Sequence, residues 1–389
     1  MTARSAPAAR FALWNLGFRP FYLLASLFSA FSVLLWIAQY SGWLPATYLR
    51  GPLWHGHEML FGYTIAVIAG FLLTAVRNWT SQPTASGVPL MALVALWVCG
   101  RVLVLTPFPL TAAAVNAAFP VAIAVAIGIP LARARNVRNY FFVGLLLLMG
   151  VLVLAIHLAL REGLDLSPQW GLRLALDVVL FIMAVMSGRV IPMFTNNGVP
   201  GTNATRHVLV ERIALGSVLL LFAADLLQSN QLVIATVALI GAIVHGIRLA
   251  LWRPWRTLAT PLVWILHVAY AWIVLHLALR GLSGFGVVAD SLATHALTVG
   301  AIGGLTLGMM TRTARGHTGR PLRADAFETA SYLLVQVAAL LRVLGGMAFP
   351  ALYLRSIELS GLLWAAAFAI YALRYWPVLT RPRLDGAPG

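Results

Sequence analysis

Apolar stretches of about 18–25 residues recur along the whole chain, and they restrict it to one kind of fold. A helix of that length covers the roughly 30 Å of hydrocarbon in a bilayer, and within lipid a helix satisfies all its own backbone groups. Breaks such as Gly51-Pro52, Gln82-Pro83, Thr106-Pro107, Ser167-Pro168, Arg253-Pro254 and Arg320-Pro321 separate the stretches. They predict about twelve transmembrane helices, near 18–40, 55–76, 88–106, 111–132, 138–160, 171–195, 207–227, 231–251, 258–280, 287–311, 325–347 and 353–376. The expected fold class is all-α, with residues 1–389 forming a single integral membrane domain. A soluble core could not hide a chain that is 61% hydrophobic, 10% charged and +0.88 in mean hydropathy.

The charge fits the same picture. All 27 basic residues are Arg, and a formal charge of +16 with pI ≈ 11.3 would ordinarily suggest a nucleic-acid partner. Here the arginines fall in short loops between apolar runs, so the membrane explains them and nucleic acid is excluded. With the N-terminus inside, 19 Arg fall on the inner side and five outside, Arg50, Arg161, Arg173, Arg280 and Arg355, while Arg101, Arg189 and Arg342 lie within spans. That asymmetry puts both termini in the cytoplasm. The segment Met1 to Pro20, with Arg4, Arg10 and Arg19, looks like a signal-peptide start, but the following run to Tyr40 is long enough to be a retained span. Cys99 is the single cysteine, so neither a disulfide nor covalent c-type haem is available.

Aligning Gly70, Gly188 and Gly304, which are 118 and 116 residues apart, superposes three helices that each end in a polar turn. This suggests three parallel four-helix units around a pseudo-threefold axis.

The topology puts His55, His57, His157, His267, His276 and His295 in or near the outer half of the membrane, where an imidazole needs a partner or a role. In Trp54-His55-Gly56-His57-Glu58-Met59, helical positions i and i+2 point about 200° apart. His55 and His57 therefore share a metal only if the chain is still extended there, as the nearby glycines allow, with Glu58 fixing a ring tautomer from behind. The plainer alternative is an interfacial cluster bonded to water and headgroups. His267 and His295, counted from their helix ends, both approach mid-membrane and are expected to ligate one centre. That centre is a b-type haem, or a haem on one histidine with copper on the other. A buried histidine donating to a helix carbonyl is the alternative for each. His276 faces away from His267 and is expected to be interfacial, as is His157, whereas His207 and His245 are expected to be structural. The glycine-rich run Gly303–Arg312, leading into Gly316-His317-Thr318-Gly319-Arg320, offers a basic loop for a haem propionate, a headgroup or an anion, or serves only to set topology.

Phe18-Arg19-Pro20-Phe21, the Trp54–Met59 motif, His267 before Ala269-Tyr270-Ala271-Trp272, and His295 to Gly303 through Gly316–Arg320 together resemble the NnrS family over essentially the whole chain. The resemblance implies a bacterial inner-membrane protein carrying haem and copper and associated with denitrification, nitric oxide and nitrosative stress. Arg19, Arg312 and His317 are cofactor-binding candidates beside His267 and His295, and His55, His57, His267 and His295 are metal candidates with Glu58 behind them. No His-Pro-Glu-Val-Tyr run is present, so the ligand scheme of haem-copper oxidases is not transferred. The leading expectation is a haem- and copper-binding protein that binds or processes nitric oxide or a derived iron-nitrosyl species, by catalysis or otherwise, with an unnamed electron donor. The alternatives are a transporter with a histidine-lined path in which Asp177, Asp225 and Arg189 serve coupling, and a haem or copper assembly factor.

Overall fold

The computed structural model describes residues 11–44, 48–49, 51–161, 164–348 and 350–387. Arg4, Arg10, Arg50 and Gly163 lie outside the described residues. Those described form helices and no strand. Among the described residues, ten helices are long and apolar enough to cross a membrane: α1 (Phe18–Tyr40), α2 (Pro52–Thr80), α4 (Pro109–Arg133), α5 (Val137–Ala159), α6 (Pro168–Gly198), α8 (Gln231–Leu251), α9 (Pro261–Gly284), α10 (Asp290–His317), α11 (Ala326–Ala348) and α12 (Pro350–Thr380). Two further helices, α3 (Val88–Leu103) and α7 (Val208–Leu226), stand where sequence places crossings. The first has only 16 residues and the second carries Glu211, Arg212 and Asp225, so length and composition by themselves identify ten spans among the described residues. The chain is a multi-pass membrane protein.

Proline or glycine starts most of these helices. Gly51 takes φ +55°, a conformation L side chains rarely adopt, and Pro52 follows at the first helical turn, so α2 begins ahead of His55. Large apolar side chains such as Phe31, Val151 and Leu373 remain exposed on the rim, as lipid contact requires. The two ends of the described chain meet, with the Ala12 amide donating to the Thr380 carbonyl at 2.7 Å. We call this the proximal end of the bundle and the opposite end distal.

Around the bundle α1 packs on α12, α4 on α5 and α8 on α9, while α2, α6 and α10 pack against the first helix of their own four. Among the described residues, three π-helical turns interrupt the α-helices, at Glu58–Thr64 in α2, Ala296–Ile302 in α10 and Leu341–Gly345 in α11. A π-turn re-aims the side chains beyond it and is often found at a functional site.

Candidate metal and cofactor sites

The distal end holds a cavity of about 490 Å³, and the three π-turns of the described residues contribute to its wall. The volume lies within the range of about 300–1,000 Å³ usual for cofactor pockets. His55 reaches it from α2, His276 from α9, His295 from α10 and Arg342 from α11, against an apolar lining that includes Trp36, Met59, Tyr63 and Trp364. The His55 ring stacks on Trp36, centroids 4.9 Å apart, and its Nδ1 is buried without a partner. His295 Nδ1 donates to the Ser291 carbonyl at 2.6 Å, which leaves Nε2 with a lone pair, the tautomer of a metal ligand. Arg342 acts electrostatically on both histidines, and its Nη1 has no hydrogen-bond partner. His276 donates from Nδ1 to the Ala293 carbonyl at 2.7 Å, leaving Nε2 buried and unpartnered.

A second cluster lies between α2 and α5. Because the chain is already helical at Pro52, His55 and His57 sit on different faces, and the shared-metal geometry expected of an extended segment does not form. His57 turns to His157 instead, their Nε2 atoms 3.1 Å apart. Glu58 Oε1 accepts from His57 Nδ1 at 2.8 Å, fixing the ring as the sequence suggested, and Arg101 donates to the same oxygen at 2.6 Å. Tyr48 lies 3.2 Å from His157 Nδ1, and burial raises its hydroxyl above the ordinary phenol range. Two ring nitrogens on one tetrahedral metal stand about 3.3 Å apart, so the His57–His157 spacing suits an ion between them as well as a shared proton. Among the described residues no three His, Cys, Asp or Glu side chains converge as a metal site.

The structure does not bring His267 and His295 together. The His276–Ala293 hydrogen bond fixes the level of the His295 turn on α9, and His267 lies nine residues further along that helix, about 13 Å deeper. There His267 donates from Nε2 to Thr195 Oγ1 at 2.8 Å, beside Trp252. Counting from helix ends placed both at mid-depth because antiparallel neighbours are counted from opposite surfaces, and a few residues of error in each doubles.

His157 and His276, expected at the interface, are both buried and hydrogen bonded, because neighbouring helices cover the ends of α5 and α9. His245 is structural: its Nδ1 meets Tyr270 Oη at 2.6 Å and its Nε2 donates to the Ala214 carbonyl. His207 stands exposed at the head of α7. The other cofactor candidates lie at the proximal end, away from the cavity. Arg19 donates to the carbonyls of Leu379 and Arg381, Arg312 lies over the Phe194 ring, and His317 packs on Phe18. Asp177 and Asp225 meet at Arg280, whereas Arg189 is bonded to Asn139 at the proximal end, so the three do not form one coupling group.

Sequence reasoning missed Arg342, Arg280, His157 and Arg101 as members of these clusters. The available signal was charge at span depth: arginines assigned to loops or left within spans require buried partners.

The arrangement is that of an all-helical, multi-pass membrane protein with a histidine-lined cavity at one end. The chain belongs to the NnrS family, whose description reads NnrS protein and whose profile matches residues 12–383. Comparison with curated proteins returns no match.

Proposed function

We propose that this protein binds haem and copper and that it binds or processes nitric oxide or a derived iron-nitrosyl species, with the distal cavity as the chamber. The observation that carries the reading is that His55 and His295, from separate helices, present unengaged ring nitrogens to one largely apolar cavity of about 490 Å³. The donor set fits a haem: His295 would hold the iron, His55 would stand in the chamber beside it, and Arg342 would meet an acidic substituent of the macrocycle. The His57–His157 pair, with Glu58 behind it, would hold copper, so that the two expected groups of ligands are regrouped as His55 with His295 and His57 with His157. Bound there, haem iron supplies a coordination position for a small diatomic gas and copper a one-electron partner. The chain's own residues orient the ring nitrogens, surround them with a largely apolar lining and let an uncharged gas arrive through lipid.

We also propose twelve crossings in the bacterial inner membrane, with the proximal end in the cytoplasm and three four-helix units around a pseudo-threefold axis. The 19-to-5 distribution of Arg supports the orientation. The repeated packing of each unit's last helix on the next unit's first, α4 on α5, α8 on α9 and α12 on α1, supports the units.

An optical spectrum of the detergent-purified protein tests the cofactor reading. A stoichiometric Soret band that is lost in His295→Ala and weakened in His55→Ala is expected, and an unchanged band in both variants rejects the assignment. Reporter fusions after Arg138 and Arg256 should read cytoplasmic, and one near Gly163 periplasmic.

A further inference from the structure

One turn along α9 from His276, the cavity wall contains more buried carboxyls than the cation holding them can balance. Arg280 on α9 donates from Nη1 to Asp177 Oδ1 of α6 at 2.8 Å and from Nη2 to Asp225 Oδ2 of α7. The three side chains are between 1% and 5% exposed. The Trp170 indole is spent on the backbone carbonyl of Asp225 rather than on its carboxyl. Two carboxylates against one guanidinium leave an excess negative charge in a medium where an isolated ion is not tolerated and takes up a proton instead. The other charges of the wall do not supply the balance. Arg173 of α6 is spent on Asp290 of α10 at 2.6 Å, His276 gives one N–H to the Ala293 carbonyl and has no acceptor for a second at Nε2, and Arg342 of α11 faces the His55 and His295 side. Asp177 Oδ2 is buried without a partner, and both Asp177 and Arg280 line the cavity.

We propose that Asp177, Asp225 and Arg280 hold one exchangeable proton in the cavity wall, shared between the two carboxyls and presented to a small polar molecule in the chamber. Arg280 fixes both carboxyls so that one proton satisfies the group, and Asp177, the member that lines the chamber, is the atom pair that gives it up or takes it back. Nothing else is exchanged: a proton leaves a carboxyl O–H for an acceptor in the cavity and the carboxylate that remains is then the one Arg280 stabilises. The use of this proton in chemistry rests on the proposed function, but its presence does not.

Infrared spectra of cofactor-free protein in H2O and D2O at neutral pH therefore separate the two. We expect a deuterium-sensitive C=O band of a protonated carboxyl, absent from Asp177→Asn and from Asp225→Asn. Each single variant leaves one carboxylate on one guanidinium and should fold, while the double variant strands Arg280 and should lose folded yield. A wild-type spectrum with no protonated-carboxyl band overturns the proposal without recourse to any variant. So does a band that survives in both single variants, which assigns the proton to another group. Loss of haem binding in the earlier experiment would leave these outcomes unchanged.

Discussion

At the proximal end of the bundle Glu211, Arg248, Tyr270 and His245 close on one another, whereas at the distal end His55, His276 and Arg342 keep buried atoms with no partner. Arg248 grips Glu211 through Nε and Nη2 at 2.9 and 2.5 Å, donates from Nη1 to the Ala184 carbonyl and to Tyr270, and Tyr270 in turn meets His245. Both regions place arginine and histidine among apolar helices, so residue type does not distinguish them. What distinguishes these two groups is satisfaction beside open space: the Arg248 network closes on itself and holds helices together, and a polar atom left unpartnered beside a cavity leaves room for a ligand.

The largest effect that would test this contrast comes from the ion-paired Arg280 group in the distal wall. Arg280→Leu leaves two buried carboxyls without their cation and should cost about 3–5 kcal/mol, read as loss of thermal stability in detergent. Unfolding at the wild-type temperature would show that the group does not brace the bundle. Next comes an exchange of roles between histidines. His245→Ala should destabilise by about 1–3 kcal/mol, since it leaves Tyr270 and the Ala214 carbonyl short of partners, with haem per folded molecule unchanged. His295→Ala should do the reverse, removing haem while shifting the stability of cofactor-free protein by no more than about 1 kcal/mol. If both variants lose stability and both keep haem, the two ends do not differ in kind.

Gly188 sharpens the proximal side. A Cβ there would fall inside the Arg248 guanidinium, so Gly188→Ala should cost about 1–3 kcal/mol by displacing it from Glu211. His57→Ala and His157→Ala should each remove copper to a similar degree and leave haem in place, as elemental analysis beside the optical spectrum would read. The smallest effect concerns pH. Asp385, outside the spans, is held down to about 2 from 3.8 by its bond to Arg383. A carboxylate lowered in this way contributes above its unfolded value and is lost only as pH falls toward 2. Protease sensitivity of the C-terminal segment should therefore be flat between pH 5 and 8 and should rise only in strong acid.

Helix positions were legible in the sequence because span length is imposed by the bilayer, and the observed starts at Pro52, Pro109, Pro168 and Pro261 fall within a few residues of expectation. Glu58 as the partner of a histidine ring was legible too, since adjacent residues need no tertiary information. Pairings between helices were not. His57 found His157 a hundred residues away, and His55 came to share a cavity with His295, because rotation about each helix axis decides facing and a hydropathy pattern this uniform carries almost no record of rotation. The π-turns compound the difficulty, since each changes facing within a helix whose composition gives no sign of it.

Those turns also bear on how such a chamber arises. A π-turn is what an α-helix becomes when it accepts one residue too many without unravelling. Three of them stand around one cavity, each equivalent to one added residue and each rotating the rest of its helix about its own axis. A lineage can acquire a chamber of this kind in small steps while the proximal network keeps the fold intact. It can lose it as readily: a one-residue deletion between Ala296 and Ile302 would return α10 to a regular spiral and swing His295 away from the chamber, in a chain that still folds.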